Sequence, residues 1–295
     1  MNDNLRGAVL MMGAMALFTL NDSMVKFLSG ALPVGQIVVL RGLVTTLATG
    51  ILAWRTGVFR TALGRRDRLL ILLRTLAEIA SAYFFLLALV NLPLANVSAV
   101  MQSAPLAVTL AAALFLSEPV GWKRLSAILV GFLGVMLILR PGPDGFSLFS
   151  LYSLVAVAFV TLRDLTTRRL SRGVPSMMVS LATAAGVTLA FGLGGVGDWV
   201  PLTGATAGLI VASALMLTGA YVCSVSAMRV GEVSFVAPFR YTSMLWALVL
   251  GLLVFGHWPA WPTLAGAALV VASGLFTLYR ERRLGQVPKV AVPPR

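Results

Sequence analysis

Ten stretches of almost unbroken apolar residues follow one another along the chain. They run over roughly 6–28, 34–54, 69–91, 94–117, 122–140, 147–169, 175–193, 204–228, 232–255 and 260–280. A helix needs about 20 consecutive apolar residues to cross a bilayer, so each stretch predicts one membrane span. The punctuation between them is short and holds Gly, Pro and polar residues, as in SGALP, NLPLAN, RPGPDG and GHWPAWP. The longest connection is RTGVFRTALGRRDR. The N-terminal MNDNLRG leads directly into the first apolar stretch with no clear cleavage site, so it reads as the start of span 1, not as a removed leader.

Composition agrees with a lipid environment. The chain of 295 residues is 59% hydrophobic and 11% charged, where a soluble domain carries about 25% charged residues. The net charge of +13 reads as cytoplasmic loop cations, not as a nucleic-acid surface. Orientation follows from counting. With the N-terminus in the cytoplasm, seventeen of the 23 Lys and Arg fall in inside segments. Only Arg140 falls in an outside loop, and Lys26, Arg41, Arg74, Arg163 and Arg240 lie within spans. That asymmetry predicts cytoplasmic N- and C-termini. The polar, Pro-containing residues 284–295 read as a disordered cytoplasmic tail.

The chain also repeats itself. TLNDSMVKFLSGALP (19–33) and TLRDLTTRRLSRGVP (161–175) are identical at six of fifteen positions and lie 142 residues apart. AYFFLLALVNLPLANVSAV (82–100) answers AYVCSVSAMRVGEVSFVAP (220–238), and FLSEPVGW (115–122) answers VFGHWPAW (254–261). Each half therefore holds five spans: residues 1–140 form the first five-helix repeat and 141–283 the second. Five is odd, so the second repeat enters the membrane from the opposite side. Inverted repeats of this kind build secondary transporters, with the substrate site near the midplane between the halves.

Charges inside the spans carry the chemistry. Each costs at least about 2.5–3.5 kcal/mol at the bilayer centre and needs a partner or a water-filled cavity. At about 1.5 Å per residue, Asp22 and Arg41 lie at similar depth on the outer side, with Gln102 near that level. This predicts an outer cluster of the three. The second half predicts an inner cluster of Asp164 and Arg240, with Tyr241 beside it. In both copies a cation follows the Asp at i+4, Lys26 and Arg168, a favourable helix spacing. The clusters read either as gates that make and break as a cavity alternates, or as static pairs that fix helix register. Glu78 lies near the midplane. It reads either as an intrahelical partner of Arg74 or as a cavity carboxylate for a substrate amine or a proton. Ser81, Tyr83, Asn96 and Tyr221 add polar tips in the middle region. Pro105 and Pro238 interrupt spans 4 and 9 and free backbone groups that a cavity or neighbour must satisfy.

The pattern resembles the drug/metabolite transporter superfamily, in its EamA-like branch, over essentially the whole chain to Arg283. NDSMVK (21–26), LRG (40–42), the Leu73–Arg74 pair, FLSEP (115–119), GFLGVMLILRPG (131–142) and APFRY (237–241) followed by VFGHWP and LYRER carry the likeness. It departs from the family at Ser117, where Gly is usual, and at His257, where Glu is usual. The resemblance implies ten spans with an inverted repeat and movement of small metabolites without ATP. It also implies an amino-acid exporter, aromatic substrates included, or an uptake system for riboflavin or S-adenosylmethionine. The expected activity is amino-acid export by alternating access across the bacterial inner membrane, since carboxylate, guanidinium and aromatic groups together suit a zwitterion with an apolar side chain.

Other classes fit poorly. No phosphate-binding loop is present for an ATP-driven pump. One Cys (Cys223) and one His (His257) exclude a Cys- or His-based metal site, and no cofactor is expected. Ten scattered acids argue against a membrane-embedded enzyme. A channel shares polar cavity residues, and saturable counter-flow separates it from a carrier. The expected partners are a small-molecule substrate and the lipid bilayer, with no nucleic acid, and one chain suffices for the fold.

Overall fold

The structure is a computed structural model that describes residues 3–61, 63–116, 121–140, 147–171, 173–194, 199–230 and 233–285. Every regular element among them is helical, and ten helices are long and apolar enough to cross a membrane. Spans 1, 2 and 3 are Asp3–Leu28, Val34–Arg55 and Arg65–Asn91. Span 4 is made of two helices, Leu94–Met101 and Ala104–Leu116. Spans 5 to 8 are Trp122–Leu139, Leu148–Arg168, Ser176–Gly194 and Gly204–Val230. Span 9 starts as Val233–Val236, tightens to a 3-10 turn over Ala237–Tyr241 and continues as Thr242–Phe255. Span 10 is Trp261–Gly285, two residues into the expected tail. Residues 286–295, and with them the rest of that tail, lie outside the described residues.

The local signals explain the boundaries. Pro33 and Pro93 precede spans 2 and 4, where proline cannot continue the preceding helix but suits the start of the next. Ser147 begins span 6 by accepting the Ser150 amide at 3.2 Å. Gly256 ends span 9 in the left-handed region (φ 64°), which a glycine reaches without strain.

Burial is inverted relative to a soluble protein. Leu47, Leu72, Leu114, Phe115, Leu133, Leu193 and Leu253 are all exposed. In a bilayer these side chains meet acyl chains. Trp54 and Trp122 stand at one end of the bundle and Trp199, Trp258 and Trp261 at the other, all exposed, as in the aromatic belts of membrane interfaces. Beside a small cluster of Met11, Ala227 and Val236, the buried apolar residues gather in two larger ones. One lies among spans 1, 2, 3, 4, 8 and 9, the other among spans 4, 5, 6, 9 and 10.

The pairing of helices is regular. Span 1 packs on span 8 and span 3 on span 6, while spans 2 and 7, 4 and 9, and 5 and 10 pair with each other. Adding five to each number in the first half, and subtracting five in the second, returns the same set. Spans 2 and 7 run antiparallel, with Gly42 against Thr188, Gly50 against Leu181 and Gly192 against Val39. Thr46 Oγ1 meets Thr188 Oγ1 at 3.4 Å, and these two threonines are 142 residues apart. Spans 5 and 10 are antiparallel too, with Gly131 against Ser273 and Gly134 against Gly266 and Val270.

Spans 5 and 10 touch backbone to backbone. A Cβ on Gly134 would stand 2.7 Å from the Gly266 carbonyl oxygen and 2.9 Å from Leu269 Cβ. Lipid tails are as apolar as leucine, so close van der Waals packing of small residues drives such contacts. Gly134→Val is expected to force the helices apart and to lower stability by about 1–3 kcal/mol, the usual effect of overpacking. Thermal unfolding in detergent checks it, and an unchanged melting temperature would contradict the close contact.

Candidate functional site

The polar side chains of the interior form two clusters, each on three helices. The first joins spans 1, 2 and 8. Asn21, only 2% exposed, is its hub. Its Oδ1 accepts from Arg41 Nη1 at 2.9 Å and from Ser213 Oγ at 2.8 Å, and its Nδ2 donates to Asp22 Oδ1 at 3.0 Å. Asp22 and Arg41 attract each other across this amide. Asn21 was not among the expected site residues, although the signal was present. In the repeat it aligns with Arg163.

The second cluster joins spans 3, 6 and 7. Arg163 donates from Nη1 to Glu78 Oε2 at 3.0 Å and from Nε to Asp164 Oδ1 at 2.8 Å. Glu78 is thirteen residues from either end of span 3, and its side chain is 17% exposed. The intrahelical pairing with Arg74 does not form. Arg74 instead donates from Nε to Thr167 Oγ1 at 2.9 Å and from Nη1 to Thr183 Oγ1. Its field still reaches Glu78.

These clusters correspond position by position. Asn21, Asp22 and Arg41 lie 142 residues before Arg163, Asp164 and Thr183. Spans 1, 2 and 8 are the counterparts of spans 6, 7 and 3. In each copy the residue before the Asp makes the bonds that cross to another helix.

Tyr221 of span 8 stands between the clusters. It lies within electrostatic reach of Glu78, Arg163, Arg41 and Arg74, and packs edge-on against Phe18 at 5.3 Å. It nevertheless keeps 42% of its surface accessible. Tyr221 thus combines the reach of four interior charges with an accessible surface. Tyr83, its counterpart in the repeat, is 51% exposed and packs on Phe84 and Phe191. Five residues beyond Glu78, it stands about 140° round the helix from that carboxylate, so the two do not share a face. Ser81 donates weakly to the Ala156 carbonyl at 3.5 Å. Asn96 is half-buried in the first turn of span 4.

Both interrupted spans meet at their breaks. The interruption expected at Pro105 falls between Met101 and Ala104, and the one at Pro238 becomes the 3-10 turn 237–241. Gln102, expected beside Asp22 and Arg41, reaches across to span 9 instead. Its Nε2 donates to Ser243 Oγ at 2.7 Å and to the Tyr241 carbonyl at 3.3 Å, with the Arg240 carbonyl at 3.5 Å. A side-chain amide thus satisfies carbonyls that the broken helix leaves open. Tyr241 is 6% exposed and packs against Gly274 of span 10. Arg240 is exposed and feels both Asp164 and Arg163.

Lys26 does not pair with Asp22. Its ammonium donates to the carbonyls of Leu89 at 2.6 Å and Leu92 at 2.7 Å, with Val90 at 3.4 Å. It also lies 5.7 Å from the centre of the Phe255 ring. It closes the open carbonyls at the end of span 3, where a cation is favoured. The side chain of Arg168 lies outside the described residues. On the same face as Lys26, Gln36 exchanges two hydrogen bonds with Val200 at 2.8 and 3.0 Å. No group of three or more His, Cys, Asp or Glu fit to hold a metal occurs among the described residues.

Ten helices long and apolar enough to cross a membrane, around a charged interior, define a polytopic protein of the bacterial inner membrane. Residues 5–140 match the EamA-like transporter family. Over 191 residues the chain is 34% identical to a riboflavin transporter of Vibrio cholerae, spanning 63% of this chain and 62% of that one. It is 30% identical over 207 residues to a riboflavin transporter of Rhizobium johnstonii, covering 68% and 67%. A third match, to the pseudopaline exporter of Pseudomonas aeruginosa, is 27% identical but covers 90% and 94% of the two chains. The chain belongs to the EamA-like transporter family. A solved crystal structure shares the fold, with a TM-score of 0.61 at 19% identity over 94% of this chain and 98% of that one.

Proposed function

We propose that the chain is a secondary transporter that exports amino acids, aromatic ones included, by alternating access. It consists of two inverted five-helix repeats, 1–140 and 141–283, with both termini in the cytoplasm. One observation carries this reading: equivalent residues 142 positions apart seed two polar clusters, each joining helices of both halves, and the accessible Tyr221 is within electrostatic reach of charges in both. A pair of equivalent clusters flanking one cavity is what two alternating gates require. Carboxylates, guanidinium groups and aromatic rings around that cavity suit a zwitterion with an apolar side chain. The full-length similarity to an exporter supports the direction.

The second reading is uptake of riboflavin or S-adenosylmethionine, favoured by the riboflavin transporters among the relatives. Uptake of radiolabelled Trp, Phe, Met, Thr, Lys and Glu into proteoliposomes separates the two, with empty liposomes as control and riboflavin and S-adenosylmethionine as competitors. Saturable, counter-flow-stimulated uptake of several amino acids is expected, with loss in Glu78→Ala. Flux of riboflavin or S-adenosylmethionine alone would overturn the amino-acid assignment, and non-saturable flux would overturn the carrier mechanism.

A further inference from the structure

Among the described residues, the guanidinium groups within the spans outnumber the carboxylates. Four guanidinium groups (Arg41, Arg74, Arg163, Arg240) face three carboxylates (Asp22, Glu78, Asp164). Arg41 is held through Asn21 beside Asp22. Arg163 binds two carboxylates. Arg74 is bonded to two threonine hydroxyls. Arg240 is different. Its side chain is exposed, and it makes no hydrogen bond or ion pair with any described residue.

Of the described charged groups, Asp164 acts on it most strongly. Asp164 is also incompletely used. Arg163 takes Oδ1, the other oxygen has no partner among the described residues, and the side chain is 36% exposed. Among the described residues, an unbonded cation and a half-bonded carboxylate therefore lie within electrostatic reach of each other without forming an ion pair. Arg240 sits on the 3-10 turn, whose carbonyls are tied to span 4 by Gln102, while Asp164 is held on span 6 by its neighbour Arg163.

We propose that Asp164 and Arg240 form a zwitterion slot: the ammonium group of the cargo donates to Asp164, and its carboxylate accepts from Arg240. This rests on the reading of the chain as an amino-acid transporter and names the two groups that recognise the backbone of the amino acid. It gives Arg240 the partner that it lacks among the described residues. The slot binds both ends of the cargo by charge and leaves the side chain to the aromatic surroundings, so it accepts several amino acids.

Recognition is tested first on the unaltered protein, by binding to the purified protein in detergent. Each of the six amino acids that binds is compared with its carboxamide, which lacks the carboxylate, and with its deaminated acid, which lacks the ammonium group. Loss of one charged hydrogen bond corresponds to about 10- to 100-fold weaker binding, and both derivatives are expected to be weaker by that factor. In Arg240→Gln the acid and its amide bind alike, while Arg240→Lys retains part of the preference. In Asp164→Asn the amino acid and its deaminated acid bind alike. If an amino acid binds and is carried but its amide binds equally well, or if Arg240→Gln keeps the wild-type preference, the slot is overturned and the transporter reading stands. If none of the six binds while riboflavin is carried, the slot and the amino-acid assignment fall together.

Discussion

Arg163→Met is expected to lower stability by about 3 kcal/mol, the lower end of the range for stripping one partner from a buried ion pair. Arg163 holds Glu78 at 3.0 Å and Asp164 at 2.8 Å. Methionine fills similar volume but leaves both carboxylates facing each other without a cation. Water reaching the partly exposed carboxylates, 17% and 36%, relieves some of that charge, which is why the upper end is not reached. For a chain of this size the change corresponds to roughly 6–12 °C in melting temperature, measured in detergent. The double variant Arg163→Met/Glu78→Gln removes cation and anion together, and is expected to recover a large part of the loss. Arg163→Met that melts within a degree of wild type would show that the bridge between spans 3 and 6 carries no stability. Transport is expected to fall at least about tenfold in the single variant, because one charged contact is worth that factor.

Asn21→Leu is the second large effect. Asn21 is buried and bonds Arg41, Ser213 and Asp22 at once. Bonds to charged groups contribute about 1.5–3 kcal/mol each and do not simply add, so a loss of about 3 kcal/mol is expected. Leucine keeps the number and branching of side-chain heavy atoms, so no cavity opens and the polar loss is read. Stability alone does not distinguish a gate from a fixed lock. Transport measured well below the melting temperature does. A cluster that forms and breaks in each cycle predicts a counter-flow rate reduced at least about tenfold. A variant that melts early but exchanges at the wild-type rate would leave the cluster as a register lock for spans 1, 2 and 8.

The two variants test equivalent positions. Asn21 and Arg163 are 142 residues apart, and each precedes the repeated Asp. One copy uses a neutral amide that reaches an arginine on span 2, while the other uses an arginine that reaches a carboxylate on span 3. Sequence comparison of the halves highlights the identical Asp and passes over the residue before it, because Asn and Arg do not resemble each other. What is shared is the position and its duty of bonding across helices.

The chain's own sequence determined the number of spans, their limits within a few residues, and which charges must live inside the membrane. These follow from local physics. A bilayer demands about 20 apolar residues per crossing, and helix geometry fixes how deep a residue lies along its own span. The tertiary structure decided which partner each charge takes. Lys26 and Asp22 have a spacing that allows a pair, as do Arg74 and Glu78, yet Lys26 closes the carbonyls of span 3 and Glu78 binds Arg163. Gln102 lies at the depth of Asp22 but faces span 9. Depth is a property of one helix, whereas partnership depends on rotation about the helix axis and on which neighbour that face meets. Residues 85 positions apart are brought together only by the packing of span 3 on span 6.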